Sequence, residues 1–306
     1  MTMFEDAVFS LRISPNFISD GVCFAARRSG LYRSIDYGKT WENAYKSLNT
    51  SSLIPTLSVT ISPFFDQDQM VFAATEGGIF RSKDAGQSWE FRVLDVHPTL
   101  PVAIEISPSF HKDGSLFVAT LDDGVYCSTD FGINWIAWNF GLFDLHTNCL
   151  AISPRFGKDR TVYAGTESGL YVSSNAGKSW SEVTQAEFNS PITDVAISPY
   201  QEGTLIVVEE HSRLLYSTNW GRNWMRLEQV PSGSIERVMF IPDKASLVKT
   251  LIFFSDQIWS LENFKPPFCL ISQLPHKVVC GEVLQVDDTC IFFGLSNGEI
   301  LKIPCQ

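Results

Sequence analysis

The chain has 306 residues, of which 44% are hydrophobic and only 19% are charged, so it is long enough to bury a large core. Its formal net charge of -11 argues against a nucleic-acid surface or docking on anionic lipid, because both need clustered Lys and Arg. The opening MTMFEDAVFS lacks the basic and apolar regions of a secretory signal, and no run approaches the ~20 apolar residues of a membrane span. We therefore expect a cytoplasmic protein without a transmembrane segment.

An octapeptide that combines serine, aspartate, glycine and tryptophan recurs along the chain. The first copy is SIDYGKTW at 34–41, and the steps between the closing tryptophans are 48, 46, 45 and 44 residues. A second motif, S-P-x-F-x-x-D, keeps the same period, which indicates an internal repeat. The later octapeptides are SKDAGQSW (82–89), STDFGINW (128–135), SSNAGKSW (173–180) and STNWGRNW (217–224); the second motif occupies 14–20, 62–68, 107–113 and 153–159, with a weaker copy from Ser198.

Each repeat unit reads as four short strands, a to d, joined by tight turns. In unit 2, TLSVTIS alternates between apolar and polar residues, MVFAAT is an apolar run, GGIFRS opens a third strand and SWEFRVL follows the octapeptide. In unit 6, RVMFIP, TLIFFS and QIWSLE supply strands a to c, and Phe268 stands where the tryptophan would be. Unit 7 runs through GEVLQVD, TCIFFGLS and GEILKIP and then stops without a strand d.

Four strands in each unit of this length are typical of propeller blades. We predict an all-β fold, a single seven-bladed β-propeller domain of four-stranded antiparallel blades covering 1–306. Residues 2–7 are expected to close the ring by completing or bracing the last blade, which would remove exposed sheet edges. The predicted units are 8–55, 56–100, 101–146, 147–190, 191–233, 234–277 and 278–306 plus 1–7.

The motif S-x-D-x-G-x-[ST]-W resembles the Asp-box, or bacterial neuraminidase repeat, of Asp-box β-propellers. That superfamily includes sialidases, xyloglucan-acting glycosidases, sortilin-type receptors and photosystem II assembly factors, so the resemblance implies the fold but leaves the function open. It also implies that the boxes lie in the c–d turns, away from the ligand face of the sialidases.

The box residues have a structural interpretation. An aspartate before a glycine accepts backbone N–H groups and closes a turn, the glycine supplies positive φ, and the tryptophan packs between blades. Two copies carry asparagine instead, which keeps the acceptor but cannot serve as a carboxylate base or a strong ligand for a hard metal. We therefore interpret the boxes as architecture. Their residues are Asp36, Gly38, Trp41, Asp84, Gly86, Trp89, Asp130, Gly132, Trp135, Asn175, Gly177, Trp180, Asn219, Gly221 and Trp224.

The b–c turns lie at the opposite ends of the strands and are the candidate ligand positions. Three interpretations remain open: solvated turns, a polar or cationic binding patch, and a carboxylate pair that cleaves glycosides, which needs side chains roughly 5–9.5 Å apart. The candidate binding residues in these turns are Arg27, Arg28, Glu76, Asp122, Asp123, Glu167, Glu210 and His211.

Two specific activities within the superfamily are not favoured by the residues. The sialidase resemblance implies an early R-I-P element, but Arg12 is followed by Ile and Ser. The photosystem-assembly resemblance implies seven blades, which the repeats match, together with a lumenal targeting segment and an arginine-rich patch that the sequence lacks. A general assembly role is compatible with both observations.

The link between units 3 and 4, NWIAWNFGLFDLH (134–146), is unusually aromatic. Trp138, Phe140 and Phe143 continue beyond the box tryptophan. They fit either packing between blades or a protein-docking patch, since aromatic side chains are enriched at binding anchors.

No pattern predicts a metal or a cofactor. The histidines have no ligand spacing, and the scattered cysteines read as reduced thiols, with a zinc site from the four C-terminal ones as the alternative. The seven cysteines are Cys23, Cys127, Cys149, Cys269, Cys280, Cys290 and Cys305.

The sequence thus predicts a non-enzymatic protein-binding scaffold or assembly factor with a protein partner, and the resemblance leaves the photosynthetic-complex assembly type open. The alternative is a glycan-binding or glycoside-hydrolysing Asp-box propeller.

Overall fold

The computed structural model describes residues 6–95, 97–184, 188, 190–241, 248–284 and 290–304. These residues form antiparallel sheets, each built from strands that follow one another along the chain. The predicted a–b–c–d order is therefore observed. Sheet 1 contains β1 (Val8–Ile13), β2 (Cys23–Arg27), β3 (Gly30–Ser34) and β4 (Glu42–Asn43); sheet 2 contains β5 (Thr56–Ile61), β6 (Val71–Thr75), β7 (Gly78–Ser82) and β8 (Glu90–Val93); sheet 3 contains β9 (Pro101–Ile106), β10 (Leu116–Thr120), β11 (Val125–Ser128) and β12 (Ile136–Ala137).

The second half of the chain repeats this arrangement. Sheet 4 contains β13 (Thr147–Ile152), β14 (Val162–Thr166), β15 (Leu170–Ser173) and β16 (Ser181–Glu182); sheet 5 contains β17 (Ile192–Ile197), β18 (Leu205–Glu209), β19 (Arg213–Ser217) and β20 (Met225–Arg226); sheet 6 contains β21 (Ile235–Ile241), β22 (Lys249–Phe254), β23 (Gln257–Glu262) and β24 (Lys265–Gln273); sheet 7 contains β25 (Val278–Leu284), β26 (Cys290–Leu295) and β27 (Ile300–Pro304). The fold class is the seven-bladed β-propeller, as predicted.

The described chain divides into two compact units. One comprises 1–122, 126–137 and 279–306 and so holds sheets 1 and 2 with nearly all of sheets 3 and 7; the other comprises 123–125 and 138–278 and holds sheets 4, 5 and 6. Within each unit, apolar cores lie between sheets that are consecutive in the chain. In the first unit, for example, Phe24, Val59 and Trp89 belong to one such core. In the second, Val208, Val238 and Phe254 do the same.

The central strands are apolar on both faces because both are covered. In sheet 2, Ala73 of β6 lies opposite Val59 of β5 and Phe80 of β7, and all three side chains are buried. Such strands read as continuous apolar runs rather than as alternating patterns. This explains why MVFAAT predicted a strand without showing a period of two.

The S-P-x-F-x-x-D motif forms a short helix, which its repetition in the sequence did not predict. Its copies are α1 (Phe17–Asp20), α2 (Phe65–Asp68), α3 (Phe110–Asp113) and α4 (Phe156–Asp159). In the first copy, Ser14 Oγ donates to Asp20 Oδ2 at 2.5 Å, and Asp20 Oδ1 accepts from the Val22 backbone N–H at 2.9 Å. The phenylalanine of each copy is buried, so the motif closes the a–b turn and anchors it in the core.

The predicted closure by residues 2–7 can be followed only from Asp6 onward, because residues 2–5 lie outside the described part. Asp6 accepts from the Ser29 backbone N–H at 2.9 Å. Its backbone oxygen would lie 2.7 Å from a Cβ placed on Gly298, in the turn between β26 and β27. Cys280 Sγ also donates to the Val8 carbonyl at 3.3 Å. Sheets 7 and 1 therefore contact each other, whereas a fourth strand of sheet 7 stays a prediction.

Because neighbouring strands are antiparallel, the a–b and c–d turns share one end of each sheet, here named the box end. The b–c turn and the link to the next sheet share the other, here named the link end.

Candidate functional site

At the box end, the aspartate of the octapeptide is a turn clamp. In sheet 1, Asp36 Oδ1 accepts from Ser34 Oγ at 2.8 Å and from the Thr40 backbone N–H at 2.9 Å, while Asp36 Oδ2 accepts from Thr40 Oγ1 at 2.6 Å. Chiefly because of the Thr40 hydroxyl and backbone N–H bonds, the pKa of Asp36 is lowered to about 2. A carboxylate with such a pKa stays ionised and is a poor general base at neutral pH.

The asparagine boxes make the same bonds with a different donor. Asn175 Oδ1 accepts from Ser173 Oγ and from the Ser179 backbone N–H, both at 2.9 Å. Its amide Nδ2 then donates to Ser179 Oγ at 2.7 Å, whereas in sheet 2 the Ser88 hydroxyl donates to Asp84. The turn geometry therefore needs an acceptor at this position and does not need a negative charge.

Four of the box tryptophans donate their indole N–H in one of two ways, whereas the buried N–H of Trp135 has no partner among the described residues. Trp41 donates its indole N–H to the Gly38 carbonyl of its own box at 3.1 Å. Trp180 instead donates to the Trp138 carbonyl at 2.7 Å, in the link that precedes its sheet. Trp89 likewise donates to the carbonyl of Ala44, 45 residues away, at 2.9 Å. The second group thus fixes the backbone of a link as well as packing into the core.

The predicted binding residues of the first unit lie in separate b–c turns. Arg27 is half-buried; its Nη1 lies 3.8 Å from Asp6 Oδ2, and its guanidinium lies 5.0 Å from the centroid of the Tyr32 ring. It therefore braces the contact between the N-terminal segment and sheet 1. Arg28, Glu76 and Asp122 are exposed.

In the second unit, Asp123 is half-buried, and Glu167, Glu210 and His211 are exposed. Glu167 Oε1 accepts from Asn148 Nδ2 at 3.1 Å, which holds this carboxylate beside the link that precedes sheet 4. No group of three or more His, Cys, Asp and Glu in the described ranges could hold a metal ion.

The link of residues 138–146, here named the aromatic link, exposes its apolar side chains. Phe140 is 82% exposed and Phe143 is 86% exposed, more than any other large hydrophobic side chain among the described residues. Leu145 is 37% exposed, while Leu142 between them is buried. Trp138 is half-buried, with Lys178 Nζ 5.9 Å from its ring centroid. Of the three aromatic residues predicted here, Phe140 and Phe143 therefore face outward, whereas Trp138 is only partly exposed.

The backbone of the aromatic link is firmly held in spite of this exposure. Trp180 donates its backbone N–H to the Phe140 carbonyl at 2.8 Å. Gly141 has φ +82°, and a Cβ there would lie 2.2 Å from the Trp180 carbonyl oxygen, so only glycine fits. Asn139 Oδ1 accepts from the Val125 backbone N–H, and its Nδ2 donates to the Asp123 carbonyl, both at 2.8 Å.

Asp144 is a positioning residue that the sequence analysis missed. Its carboxylate accepts from the backbone N–H of His146 at 3.0 Å and of Ser168 at 2.7 Å. Although partial burial opposes ionisation, these N–H bonds lower the pKa of Asp144. The D-L-H sequence is an Asx-type turn signal, but its second partner comes from the following b–c turn and has no local signature.

Arg12, considered from sequence only as part of a broken R-I-P element, lies in a cavity of about 470 Å³ in the first unit. Its guanidinium bridges Glu105 Oε1 at 3.0 Å and Glu282 Oε2 at 3.1 Å. Burial lowers the pKa of Arg12, but the two carboxylates outweigh that effect and raise it overall. The three residues lie far apart in the chain, so nothing in the sequence pointed to this network.

The cysteines within the described residues are free thiols, and four of them are buried. Burial raises the pKa of Cys23 to about 12, which makes its thiol unreactive at neutral pH. Cys305 lies outside the described residues. Among the helices described, none reaches the length and apolarity that a bilayer span requires.

Part of the chain matches a known protein family in sequence. Residues 29–142 match the family model described as Sortilin, neurotensin receptor 3. No curated protein matches the chain significantly in sequence.

Solved structures match over almost the whole chain. A GH74 xyloglucanase from Xanthomonas campestris superposes with a TM-score of 0.77 at 15% identity, covering 98% of this chain and 52% of that one. YCF48 from Cyanidioschyzon merolae gives a TM-score of 0.71 at 13% identity, covering 99% of this chain and 97% of that one. The extracellular domain of a putative one component system from B. thetaiotaomicron superposes with a TM-score of 0.72 at 14% identity, covering 99% of this chain and 39% of that one.

The chain thus spans about half of the xyloglucanase, and at these identities the likeness concerns the fold. The five boxes resemble those of Asp-box, or BNR-repeat, β-propellers; the family model matches less than half of the chain, and the solved structures show that the fold is a seven-bladed β-propeller.

Proposed function

We propose that the protein is a non-enzymatic docking scaffold that binds a protein partner through Phe140, Phe143 and Leu145 of the aromatic link. The observation that carries this proposal is the exposure of 82% and 86% for the two phenylalanines on a backbone fixed by Trp180. Exposed aromatic side chains on a preorganised backbone suit binding, because little conformational freedom is lost when a partner covers them.

The chemistry around the aromatic link narrows the kind of partner. Asp144 belongs to the link and Glu167 lies beside it, and the protein as a whole carries a net charge of -11. A partner surface with an apolar pocket and a basic rim complements these features. The rim would mainly accelerate association, while the phenylalanines would supply the affinity.

An assembly role of the photosynthetic-complex type belongs to the same proposal. It is supported by the resemblance of the repeats and by the match to YCF48 along nearly the full length of that chain. A cytoplasmic location stays a prediction.

Photo-crosslinking tests the proposal. A photoreactive phenylalanine analogue is placed at Phe143 or, as a matched control, at Val93, which is 60% exposed on β8 of sheet 2. In the native source, we expect the Phe143 probe to yield one discrete adduct that the Phe140→Ser change abolishes. Equal adducts from both positions, or none from Phe143, would refute the docking role of the link.

The alternative is a glycan-binding or glycoside-cleaving propeller that uses the acidic b–c turns. The likeness to the xyloglucanase favours keeping it under test. A chromogenic glycoside screen with a glycan array separates the two functions. Hydrolysis that disappears in Glu76→Gln or Glu167→Gln would overturn the scaffold proposal, whereas unchanged background rates in both variants support it.

A further inference from the structure

A cavity of about 340 Å³ lies at the link end of sheet 5, wholly within the second unit. Its walls are the b–c turn between β18 and β19 and the link between β20 and β21. Its volume is in the range that holds a small molecule. Neither the box motifs nor the aromatic link contributes to it, so it is independent of the docking surface proposed above.

The turn that forms one wall has an unusual backbone. His211 has φ 64° and Ser212 has φ 65°, although neither is glycine. At the b–c turns of sheets 1, 2, 3, 4 and 7, the positive φ falls on a glycine, as at Gly77 and Gly124. Two successive non-glycine residues in the left-handed region are strained, and strain of this kind is concentrated at functional sites.

Among the described residues, several of the other non-glycine positive-φ positions belong to repeated turns, although Asn263 and Phe264 form a second consecutive pair between β23 and β24. Tyr37, Ala85 and Ala176 precede the glycine of a box, and Gln69 and Arg160 end the short helices. The turn of sheet 5 follows no such repeat. On the facing wall, Gln229 is also left-handed, with φ 58°.

The strained turn and the link are tied together. Ser212 Oγ donates to the Gly233 carbonyl and accepts from the Ile235 backbone N–H at 3.1 Å. The left-handed conformation of Ser212 therefore places its hydroxyl where it holds the facing wall. The cavity is a built feature rather than a gap between mobile loops.

Cationic side chains line this cavity. Arg213 is anchored by Glu209, whose side chain is fully buried, with 3.0 Å between Arg213 Nη1 and Glu209 Oε2. The Arg226 side chain is exposed and has no ion pair or hydrogen bond within the described part of the chain, although its backbone pairs with β19. His211 also lines the cavity, and Glu228 is the one carboxylate among its lining residues.

We propose that this cavity binds a small molecule bearing a carboxylate or a phosphate group, with Arg226 as its principal partner and Arg213 beside it. Guanidinium groups match both oxyanions by bidentate hydrogen bonding. The buried Glu209 orients Arg213, and the strained turn holds His211 at the rim. The negative charge of Glu228 repels the anion and so lowers the affinity of the cavity for it.

Isothermal titration of the full chain at constant ionic strength tests the proposal with three probes: inorganic phosphate, citrate and methyl glucoside. We expect saturable binding of phosphate or citrate, whichever anion the cavity prefers, and none of the neutral sugar. Arg226→Gln is expected to weaken the binding about tenfold, as the loss of one charge-assisted hydrogen bond implies. Glu228→Gln is expected to strengthen it.

Arg222→Gln is the matched control, because Arg222 is an exposed arginine at the box end of the same sheet. It should leave the affinity unchanged. Equal losses of affinity in Arg226→Gln and Arg222→Gln would show that only the overall charge of the protein matters and would overturn the site. The absence of saturable binding by either anion would also overturn it. Binding of methyl glucoside that Arg226→Gln leaves intact would overturn the anion assignment.

Two further variants keep the test independent of folding and of the docking proposal. His211→Gly removes the strain and is therefore expected to raise the Tm. It is also expected to weaken anion binding, because the turn at the rim of the cavity becomes less rigid. Phe143→Ser should leave anion binding unchanged, so failure of one proposal does not affect the other. An unchanged or lower Tm in His211→Gly would contradict the strained-turn argument.

Discussion

At the box end of the sheets, the same hydrogen bonds recur from one sheet to the next. The Ser–Asp clasp of the a–b turn and the acceptor of the c–d turn are the clearest examples. At the link end, the side-chain contacts of the described turns differ from sheet to sheet: Arg27 braces a chain contact, Asp144 holds a link, and His211 has a positive φ without being glycine. Repetition therefore marks the part of the blade that builds the fold, and divergence marks the part that is free to acquire function.

The largest expected effect comes from the residue that joins the two ends. Trp180 lies at the box end with only 4% of its surface exposed, and it holds the aromatic link through its indole and backbone N–H groups. Trp180→Ala should lower the free energy of unfolding by about 3–5 kcal/mol, because it leaves a large cavity. Trp180→Phe should lose about 1–2 kcal/mol, chiefly the indole hydrogen bond.

Urea denaturation checks both values. If Trp180→Ala were no more destabilising than Trp180→Phe, packing of the ring would not be what holds the box end. Trp224→Phe is a control for the hydrogen bond, since Trp224 donates its indole N–H to the Gly221 carbonyl of its own box at 2.9 Å and contacts the preceding link only through its ring, against Phe188.

The next largest effect on stability is expected at the box aspartate, where two substitutions distinguish its role as a hydrogen-bond acceptor from its negative charge. Asp84→Ala removes the acceptor for Ser82 Oγ and for the backbone N–H groups of Gln87 and Ser88, and should cost about 1–2 kcal/mol. Asp84→Asn should be close to neutral at pH 7, because Asn175 already makes the equivalent bonds in sheet 4. Denaturation midpoints of the pair measure the difference. Equal destabilisation by Ala and Asn would mean that the charge itself is needed.

The pH dependence of stability should follow the aspartate boxes. The folded-state pKa of Asp36 is lowered to about 2 from an ordinary 3.8, and those of Asp84 and Asp130 are also lowered. Because the pKa is lower in the folded state, the unfolded chain takes up protons first as the pH falls. The stability that these carboxylates contribute is therefore complete above about pH 4 and is lost as the pH falls toward 2. In the triple variant Asp36→Asn, Asp84→Asn, Asp130→Asn, the Tm should fall less steeply across that interval. Identical slopes would contradict the clamp assignment.

The smallest effect on stability is expected at the link end. Phe143→Ser and Phe140→Ser should change the free energy of unfolding by less than about 0.5 kcal/mol, because the side chains are 86% and 82% exposed. Thermal unfolding measures this directly. A large loss of stability would show that these rings pack within the fold and would weaken the docking proposal.

Much of the fold could be predicted from the sequence, because its turns depend on local chemistry. The serine and the acceptor of each box lie two residues apart, so their bond needs no distant partner. The apolar runs between boxes have only one way to pair at such short connections. The helix of the S-P-x-F-x-x-D motif was not predicted, because its four residues are too few to show a helical period, although the Ser–Asp hydrogen bond that holds it is also local.

The sequence by itself determined the repeat, the strand order and the architectural role of Asp36 and its counterparts, since each of these rests on residues close together in the chain. Only the tertiary structure decided which side chains of the aromatic link face outward. Phe140, Leu142 and Phe143 are equally apolar, and their exposure depends on bonds from Trp180, some forty residues away. The structure likewise joined Arg12 to Glu282 and opened the cavity at His211, because long-range contacts leave no local pattern.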